Sequence, residues 1–597
     1  MKTLLPTGVR IAAALSLLLA CGLANSATLV VTTTADPGSG TCGTTCSVRD
    51  AVNAAAPNDT LTFAIPASDP GCTAPDICTI ALDEPSGPLV VNNPLTIDGS
   101  AQRITIDGKG ATQLFTNYGS GLLINELTLS NGACIWNPNV PNDLGARCAF
   151  AGGGILNTGV LTVTNSTFSN NFGGLSFCGY PHRCVDPVSG GAIANTGSAT
   201  ITGSTFVGNS VESGGEGAAI ASFAGTFAVT NSTFYGNSGN TTVFNGTNDG
   251  GFGYTSQAGI FILTNSTIGS ASGSGIGNQG IASQGGSLTL SNTIVAGSSG
   301  GSCASTPLQP YAPYTPITDA GGNVSDDPSC GLTQATSLSG TNPNLGPLQD
   351  NGGPTQTMAL PGGSPAAASG VAANCPSTDQ RGVARPGSGQ NCSSGAFQYV
   401  ILTCPGAPAS VGRAYGSGFA ARGGVEPYTF ATSSGSLPPG LILDPATGAI
   451  SGTPTAVGVY NFTGQVTDSV APTSETGTAA CSITVSPPLA QLTVNPNNIF
   501  FGVLRILLLK SNTVTVVNTG TVPVSIANVS IVPGNPGSNR EFLALNLCPR
   551  SLGVRQTCRI AVAFFGLSFG KQSAALEITS SASGSPQSIP LTAIVVR

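Results

Sequence analysis

Residues able to do acid–base or metal chemistry are few in this chain. His182 is the single histidine, and Asp, Glu, Lys and Arg together make up 8% of 597 residues. One imidazole with no G-x-S-x-G context argues against serine-triad chemistry. Structural zinc needs C-x-x-C or Cys–His clusters, which the sequence does not contain. Glycoside hydrolysis needs two carboxylates facing one bond. The repeated part of the chain offers Asp98, Asp107, Glu126, Asp143, Asp186, Glu212, Glu216 and Asp249. Asp98 and Asp107 each precede Gly in Ile-Asp-Gly, where an Asp bonds its own backbone in a turn. No pair stands out by spacing, so no catalytic residue, metal ligand or cofactor is assigned.

Recognition chemistry is better represented. Two insertions leave the repeated units at the same phase, Gly132–Ala151 with Cys134 and Cys148, and Gly173–Gly190 with Cys178 and Cys184. They hold the sole tryptophan, Trp136, together with Arg147, Tyr180, His182, Arg183, Asp143 and Asp186. The following units add Glu212, Glu216, Phe244, Asp249, Phe252 and Tyr254. Rigid rings flanked by charges bind with little loss of entropy. The candidate ligand-binding set is therefore Trp136, Arg147, Tyr180, His182, Arg183, Phe252 and Tyr254. The plain alternative is that these rings cover the chain's own apolar flank, as clusters under long loops do.

What must position such loops is a repeat. T-N-S-T-F stands at Thr164–Phe168, T-G-S-T-F at Thr202–Phe206, T-N-S-T-F at Thr230–Phe234 and T-N-S-T-I at Thr264–Ile268; a worn L-S-N-T-I ends at Ile294. Successive copies are 38, 28, 34 and 26 residues apart. Gly-rich tracts precede several of them, G-G-G-I at Gly152, G-G-A-I at Gly190 and G-A-A-I at Gly217. An irregular period in this range means stacked units with variable loops. Within a unit the alternation has period two, as in Leu161-Thr162-Val163-Thr164, which is strand. The expected architecture is a parallel β-helix. The N-S-T triplets at Asn165, Asn231 and Asn265 look like glycosylation acceptors, but equivalent Asn residues in successive coils are expected to form an internal ladder.

Composition agrees. Gly (82 residues) and Pro (42) are abundant, as in an extracellular all-β protein. Lys2, Arg10 and the apolar run Ile11–Ala20, with Ala24-Asn25-Ser26-Ala27 after it, read as a secretory signal over 1–27. Without Lys2 and Arg10, 17 basic residues face 26 acidic ones, a net charge of −9. Taken over the whole chain, that balance gives no reason to seek nucleic acid or an anionic membrane. No mature segment is long and apolar enough to span a bilayer. Leu18-Leu19-Ala20-Cys21-Gly22 resembles a lipobox, with Leu19 a departure, so lipid anchoring at Cys21 stands as the alternative to a cleaved signal. The remaining 16 cysteines fall in neighbouring pairs, 42/46, 72/78, 134/148, 178/184, 303/330, 375/392, 404/481 and 548/558. An even count in local pairs implies disulfides, with Cys42, Cys46, Cys72, Cys78, Cys134, Cys148, Cys178, Cys184, Cys303, Cys330, Cys375, Cys392, Cys404, Cys481, Cys548 and Cys558 as candidates.

The flanks carry family signals. In C-S-V-R-D-A from Cys46, Ser47 can cap a helix with Asp50 three residues on, and Val48, Ala51, Val52 and Ala55 fall on one face. The segment resembles the C-S-L-R-E-A motif that opens many exported β-helix proteins, and it is expected to cover the open first coil. The Gly-Gly tracts and the Phe168/Asn171, Phe206/Asn209 and Phe234/Asn237 pairs resemble repeats of polymorphic outer-membrane proteins, which implies a right-handed helix. Asn342–Thr357 (N-P-N-L-G-P-L-Q-D-N-G-G-P-T-Q-T), G-S-P-A at Gly363, D-Q-R-G at Asp379 and G-A-F at Gly395 resemble the closing module of the choice-of-anchor Q family. Met358 and Ala368 depart from it. L-P-P-G-L at Leu437, D-P-A-T-G-A-I-S-G-T-P at Asp444 and V-T-D at Val466 resemble the bacterial Putative-Ig family. Phe501-Gly502-Val503, Val517-Asn518-Thr519-Gly520, the Cys548–Cys558 interval and Phe564 resemble Hydin-type Ig-like modules. Leu504–Leu509 replaces a small polar stretch there, which implies a buried or partner-covered edge.

These readings give an all-β chain. It has a signal (1–27), a right-handed parallel β-helix (28–400) with an N-terminal cap region (28–60) and a C-terminal cap module (340–400), and two Ig-like sandwiches (401–487 and 488–597). The function they point to is non-enzymatic recognition or adhesion outside the cell, by a monomer that binds a polysaccharide or a surface protein through the 132–254 loops. A polysaccharide lyase or hydrolase and a purely structural stalk are the alternatives.

Overall fold

Residues 26–38, 41–83, 86–119, 121–134, 152–174, 190–212, 215–246, 259–279, 286–304, 316–387, 389–469 and 474–597 are described by the computed structural model. Each copy of the repeated phrase builds one corner of a coil. Its first Thr ends a strand of one sheet, and the next residue turns the chain in the left-handed region: φ is 50° at Asn165, 65° at Gly203, 48° at Asn231 and 44° at Asn265. Gly and Asn reach that region at the least cost. The Ser hydroxyl then accepts a hydrogen bond from the Ser backbone one coil earlier, Ser166 N–H to Ser204 Oγ at 3.3 Å, Ser204 to Ser232 at 3.2 Å and Ser232 to Ser266 at 3.4 Å. The second Thr opens a strand of the next sheet. The Phe enters the core, where Phe168, Phe206 and Phe234 stack with centroids 4.7 Å apart and planes within 4° and 7°. That separation is the strand spacing itself.

Three residues later Asn171, Asn209 and Asn237 form a second buried ladder, each Nδ2 reaching the next Oδ1 at 2.9 and 3.0 Å. A third runs from Asn117 through Asn157 to Asn195 at 2.7 and 2.6 Å. The ladder expected through Asn165, Asn231 and Asn265 does not form as one. Their left-handed corner frees the amide for another partner: Asn231 Nδ2 donates to Thr378 O (2.8 Å) and Asn265 Nδ2 to Ser393 O (3.1 Å). Asn292 does donate to Asn265 Oδ1 (3.2 Å). Asn231 and Asn265 are buried, which closes those two triplets to glycosylation.

Stacked in register, the coils make three sheets around one apolar column that runs from Val31 to Cys330. The first has ten parallel strands from Thr28–Val31 to Thr318–Asp319. The second runs from Cys72–Ala74 to Val324–Ser325 and is parallel except for its first pair. The third combines short strands such as Ile155–Asn157 and Phe172–Gly173, which converge on the long strand Ser238–Gly246. The Gly-Gly tracts enter the third sheet where neighbouring backbones nearly touch: a Cβ on Gly191 would lie 2.1 Å from Ala218 O. At the open end sits the helix Val48–Ala54, capped by Ser47, whose Oγ accepts from Asp50 N–H (3.1 Å) and donates to Asp50 Oδ2 (2.8 Å). Val48, Ala51 and Val52 join the column. Arg49 pairs with Asp36 at 2.7 Å and donates to the carbonyls of Ser86, Gly87 and Pro88, so the buried charge is matched.

Residues 340–400 run back along the corners of the coils. Ser394 Oγ donates to Gly322 O, Gly395 N–H to Asn292 O (2.8 Å) and Ala396 N–H to Thr267 Oγ1 (3.0 Å). Farther on, Thr233 Oγ1 donates to Gln380 Oε1 (2.6 Å), and Thr355 Oγ1 donates to Gly203 O (2.8 Å). The outward Thr of the later phrases, Thr205, Thr233 and Thr267, therefore receives this strap. The D-Q-R-G residues hold it: Asp379 accepts from Arg381 Nη2 (2.7 Å) and from the backbones of Val383 and Gln398, and the Arg381 guanidinium lies 3.7 Å from the Phe397 ring centroid.

The chain divides into two compact units, 1–401 with 422–427 and 468–476, and 402–421 with 428–467 and 477–597. The second unit holds two sandwiches. One pairs a four-stranded with a three-stranded sheet and is tied by Cys404–Cys481; the other pairs four- and five-stranded sheets and is tied by Cys548–Cys558. In the first unit Cys42–Cys46, Cys72–Cys78, Cys303–Cys330 and Cys375–Cys392 are bonded as expected. Cys134 is disulfide-bonded, whereas Cys148, Cys178 and Cys184 lie outside the described residues. The all-β class, the parallel β-helix and the two Ig-like sandwiches are thus as the sequence indicates.

Because Phe206 is stacked on both faces, Phe206→Ala should cost about 3–5 kcal/mol. Denaturant unfolding followed through the first unit checks this value, and a loss below about 1 kcal/mol would mean that the stack carries little of the core.

Candidate functional site

The strap ends at the coil of Gly203 and Thr205, where Thr205 Oγ1 donates to Gln356 O (2.6 Å). The coils before it keep their corners uncovered. Between them and residues 350–356 lies a groove of about 650 Å³. Its floor is made of Gly99–Ile104, Glu126–Thr128, Asn165 and Thr167, with Asp76 at one end and Asp350, Gly353, Pro354, Thr355 and Gln356 as the wall. The volume is within the range of small-ligand sites, roughly 300–1,000 Å³.

One residue departs from the pattern that built this surface. At the corner position the coils carry Asn165, Gly203, Asn231, Asn265 and Asn292, but the coil before Asn165 carries Glu126, with φ of 53°. Its strand Leu127–Ser130 pairs in register with Thr167–Ser169, Thr128 opposite Thr167 and Leu129 opposite Phe168. A Glu in the left-handed region costs about 1 kcal/mol relative to Gly or Asn. Among the described residues, neither its carboxylate nor the Arg103 guanidinium forms a side-chain hydrogen bond or ion pair. A strained, charged and unpaired group at the floor of a groove contributes nothing to the fold that Asn would not supply more cheaply. Around it stand Asn165, Thr128 and Thr167, whose side chains both donate and accept, the Asp76 and Asp350 carboxylates, the cationic Arg103, and Gln102, whose amide is bonded to the Ile65 backbone. Three carboxylates against one guanidinium make the groove acidic.

All of the residues singled out as ligand-binding, Trp136, Arg147, Tyr180, His182, Arg183, Phe252 and Tyr254, lie outside the described residues. Two neighbours expected to extend that face turn inward. Phe244 is buried in a small cluster with Ala221 and Phe223, edge-on to Phe223 at 6.1 Å. Glu216 is buried too, accepting from Thr241 Oγ1 (2.7 Å) and Asn240 Nδ2 (3.3 Å). Asp98 and Asp107 are turn residues, accepting from the Ser100 (3.1 Å) and Lys109 (2.8 Å) backbones. Burial works to raise the Asp98 pKa, but donors from Asn125 and Ser100 outweigh it and hold it below the ordinary range. Asp327 caps the turn Pro328–Cys330 through Ser329 N–H. Sequence reading missed Asp76 and Asp350, which are far from one another in the chain. Glu126 carried a signal: Asn125-Glu126-Leu127-Thr128 is a degraded copy of Thr164-Asn165-Ser166-Thr167.

Among the described residues no cluster of His, Cys, Asp and Glu could hold a metal ion, and no helix is long and apolar enough to cross a membrane. Residues 405–486 match the Putative Ig domain family. No curated protein matches the chain. Similar solved structures include a protein of unknown function from Porphyromonas gingivalis W83, 12% identical over 33% of this chain and 99% of that one, TM-score 0.15. Domains 4 and 5 of the S-layer protein SbsC are 12% identical over 33% and 98%, TM-score 0.20. A PapD-like domain of human CEP192 is 14% identical over 19% and 89%, TM-score 0.14. Likenesses this low carry no argument for this chain. The class defined here is a β-rich protein with an Ig-like domain, and its disulfides fit an extracellular setting.

Two outcomes follow. Glu126→Asn restores the corner residue and should raise the stability of the first unit by about 1 kcal/mol, measured by urea unfolding; a loss would mean that Glu126 has a structural partner. Burial, partly offset by Thr241 and Asn240, raises the Glu216 pKa above its ordinary 4.5. A raised carboxyl favours the fold fully below the unfolded value and loses that contribution as pH climbs through the folded one. Stability should therefore fall with rising pH above about 4.5, and Glu216→Gln should flatten that slope in unfolding curves collected at several pH values.

Proposed function

We propose that this chain is an exported recognition protein whose β-helix holds a neutral or amino-sugar glycan in the groove beside residues 350–356, with the Ig-like sandwiches as spacer or anchor. The observation that carries the reading is Glu126, strained and, among the described residues, unpaired where the repeat calls for Asn. A hydroxyl-rich ligand suits a floor of closely spaced amides, hydroxyls and carboxylates, because each sugar hydroxyl both donates and accepts. The excess of carboxylates over Arg103 disfavours polyuronates and sulfated glycans.

The test is titration calorimetry of the full chain with neutral, amino and uronic oligosaccharides. Saturable binding to one neutral or amino class, weakened at least about tenfold by both Arg103→Ala and Glu126→Asn, is the expected result. Trp136 emission, read in the same titrations, distinguishes the rival surface. A saturable shift that survives both substitutions moves the site to the 132–254 loops. No response to any glycan favours the structural stalk.

A second reading rests on the same three carboxylates. Asp76, Glu126 and Asp350 share one groove, and a pair of them facing a glycosidic bond would make a hydrolase. That reading requires new reducing ends in a digest, lost in Glu126→Gln.

A further inference from the structure

The last sandwich has a surface that does not resemble the rest of the molecule. Residues 492–597 contain eight Lys and Arg against Glu541 and Glu577, a net of +6 in a chain whose total is −7. Much of this charge collects at one end, with exposed apolar side chains. Leu507, Leu508 and Leu509 are 66%, 47% and 62% exposed, and Phe569 is 58% exposed. Three segments meet there. Leu507 N–H donates to Gly566 O (2.9 Å) and Gly566 N–H to Leu508 O (3.4 Å), while Arg505 pairs with Val596 and Gly570 with Val595. Arg505, Lys510, Lys571 and Arg597 are exposed around these side chains. Glu541 is buried, and Glu577 lies farther along its strand, opposite Ser530 and Ser588. The Glu541 carbonyl accepts from Phe565 N–H (2.8 Å), which puts this buried acid beside the tip, but among the described residues no ion pair engages the four cations.

Leu507 is also held at φ of 66°. Gly or Asn would make this turn at lower cost, and an exposed Leu gains nothing from the core. A leucine kept in a strained turn and turned to solvent, beside two more leucines and a phenylalanine, serves something outside the chain. The cations restrict what that is. A second copy docking tip to tip would bring like charges together, which opposes a symmetric pair. An anionic lipid surface satisfies both halves of the patch: apolar side chains enter the acyl boundary while Arg and Lys remain at the headgroups.

We propose that the end of the last sandwich formed by residues 503–510, 565–571 and 595–597 is a membrane-interface site that inserts Leu507–Leu509 and Phe569 into an anionic bilayer. The partner-covered edge expected at Leu504–Leu509 is then covered by lipid. This site is independent of the groove in the β-helix, and loss of either leaves the other intact.

The experiment is co-sedimentation of the full chain with vesicles of phosphatidylcholine alone and of phosphatidylcholine with phosphatidylglycerol. Binding should require the anionic lipid and weaken steeply with salt. Leu507→Gly relaxes the turn, so the domain should stay folded and no less stable, yet partition should fall about tenfold. Lys571→Glu should weaken binding to anionic vesicles alone. Comparing variants within one preparation removes any contribution of a lipid at Cys21, which would be equal in all of them. Equal partition of wild type and Leu507→Gly, or no anionic-lipid dependence, overturns the proposal. So does a concentration-dependent dimer that Leu507→Gly dissolves, because it would assign the patch to a second copy.

Discussion

Parallel stacking at one strand spacing is the constraint on which the first unit depends. Coils about 4.8 Å apart place every side chain directly over its counterpart, so the residues that repeat are those able to pair with themselves. Phenylalanine rings stack face over face, the serine hydroxyl accepts from the preceding coil's backbone N–H, and the asparagine amide both donates and accepts. A charge cannot be repeated this way without repulsion. The low charge content and the abundance of Thr, Ser, Asn and Gly follow from the same requirement. Gly-rich tracts supply the rest, at positions where a Cβ would strike the next coil's backbone.

The same ladder leaves a column of outward Thr hydroxyls and left-handed corners, and the strap binds it. Its capping groups are side chains of the repeat: Thr233 and Thr267 meet Gln380 and Ala396, and Asn231 and Asn265 meet the carbonyls of Thr378 and Ser393. The groove arises where the repeat decays. Leu127 replaces the ladder Ser and Glu126 replaces the corner Asn, and the strap has already ended at Thr355. The coils of Glu126 and Asn165 thus lie beyond the strap, and Thr167 there does not meet it as Thr205, Thr233 and Thr267 do.

Charge tells a similar story of local departure. Summed over the chain, the acidic balance argued against an anionic surface. The sum concealed a basic final sandwich, and four of its exposed cations share one end with exposed leucines. Net charge describes a molecule only when the charges are mixed, and here they are segregated by domain.

The sequence by itself determined what is periodic or local. Its repeated phrase specified parallel coils, Ser47 and Asp50 specified the capping helix, and local Cys pairs specified six of the observed bonds. Each of these depends on neighbours in the chain or on a fixed spacing. It also led to the inference that the sequon Asn formed the ladder, because period alone does not tell which of two repeated Asn residues faces inward. Only the tertiary structure decided that, by placing one at a left-handed corner and the other in the core. It alone turned Phe244 and Glu216 inward, and it alone brought Asp76, Glu126 and Asp350 to one groove. Those carboxylates are separated by up to hundreds of residues, and no local rule of spacing connects a coil to the strap that returns along it.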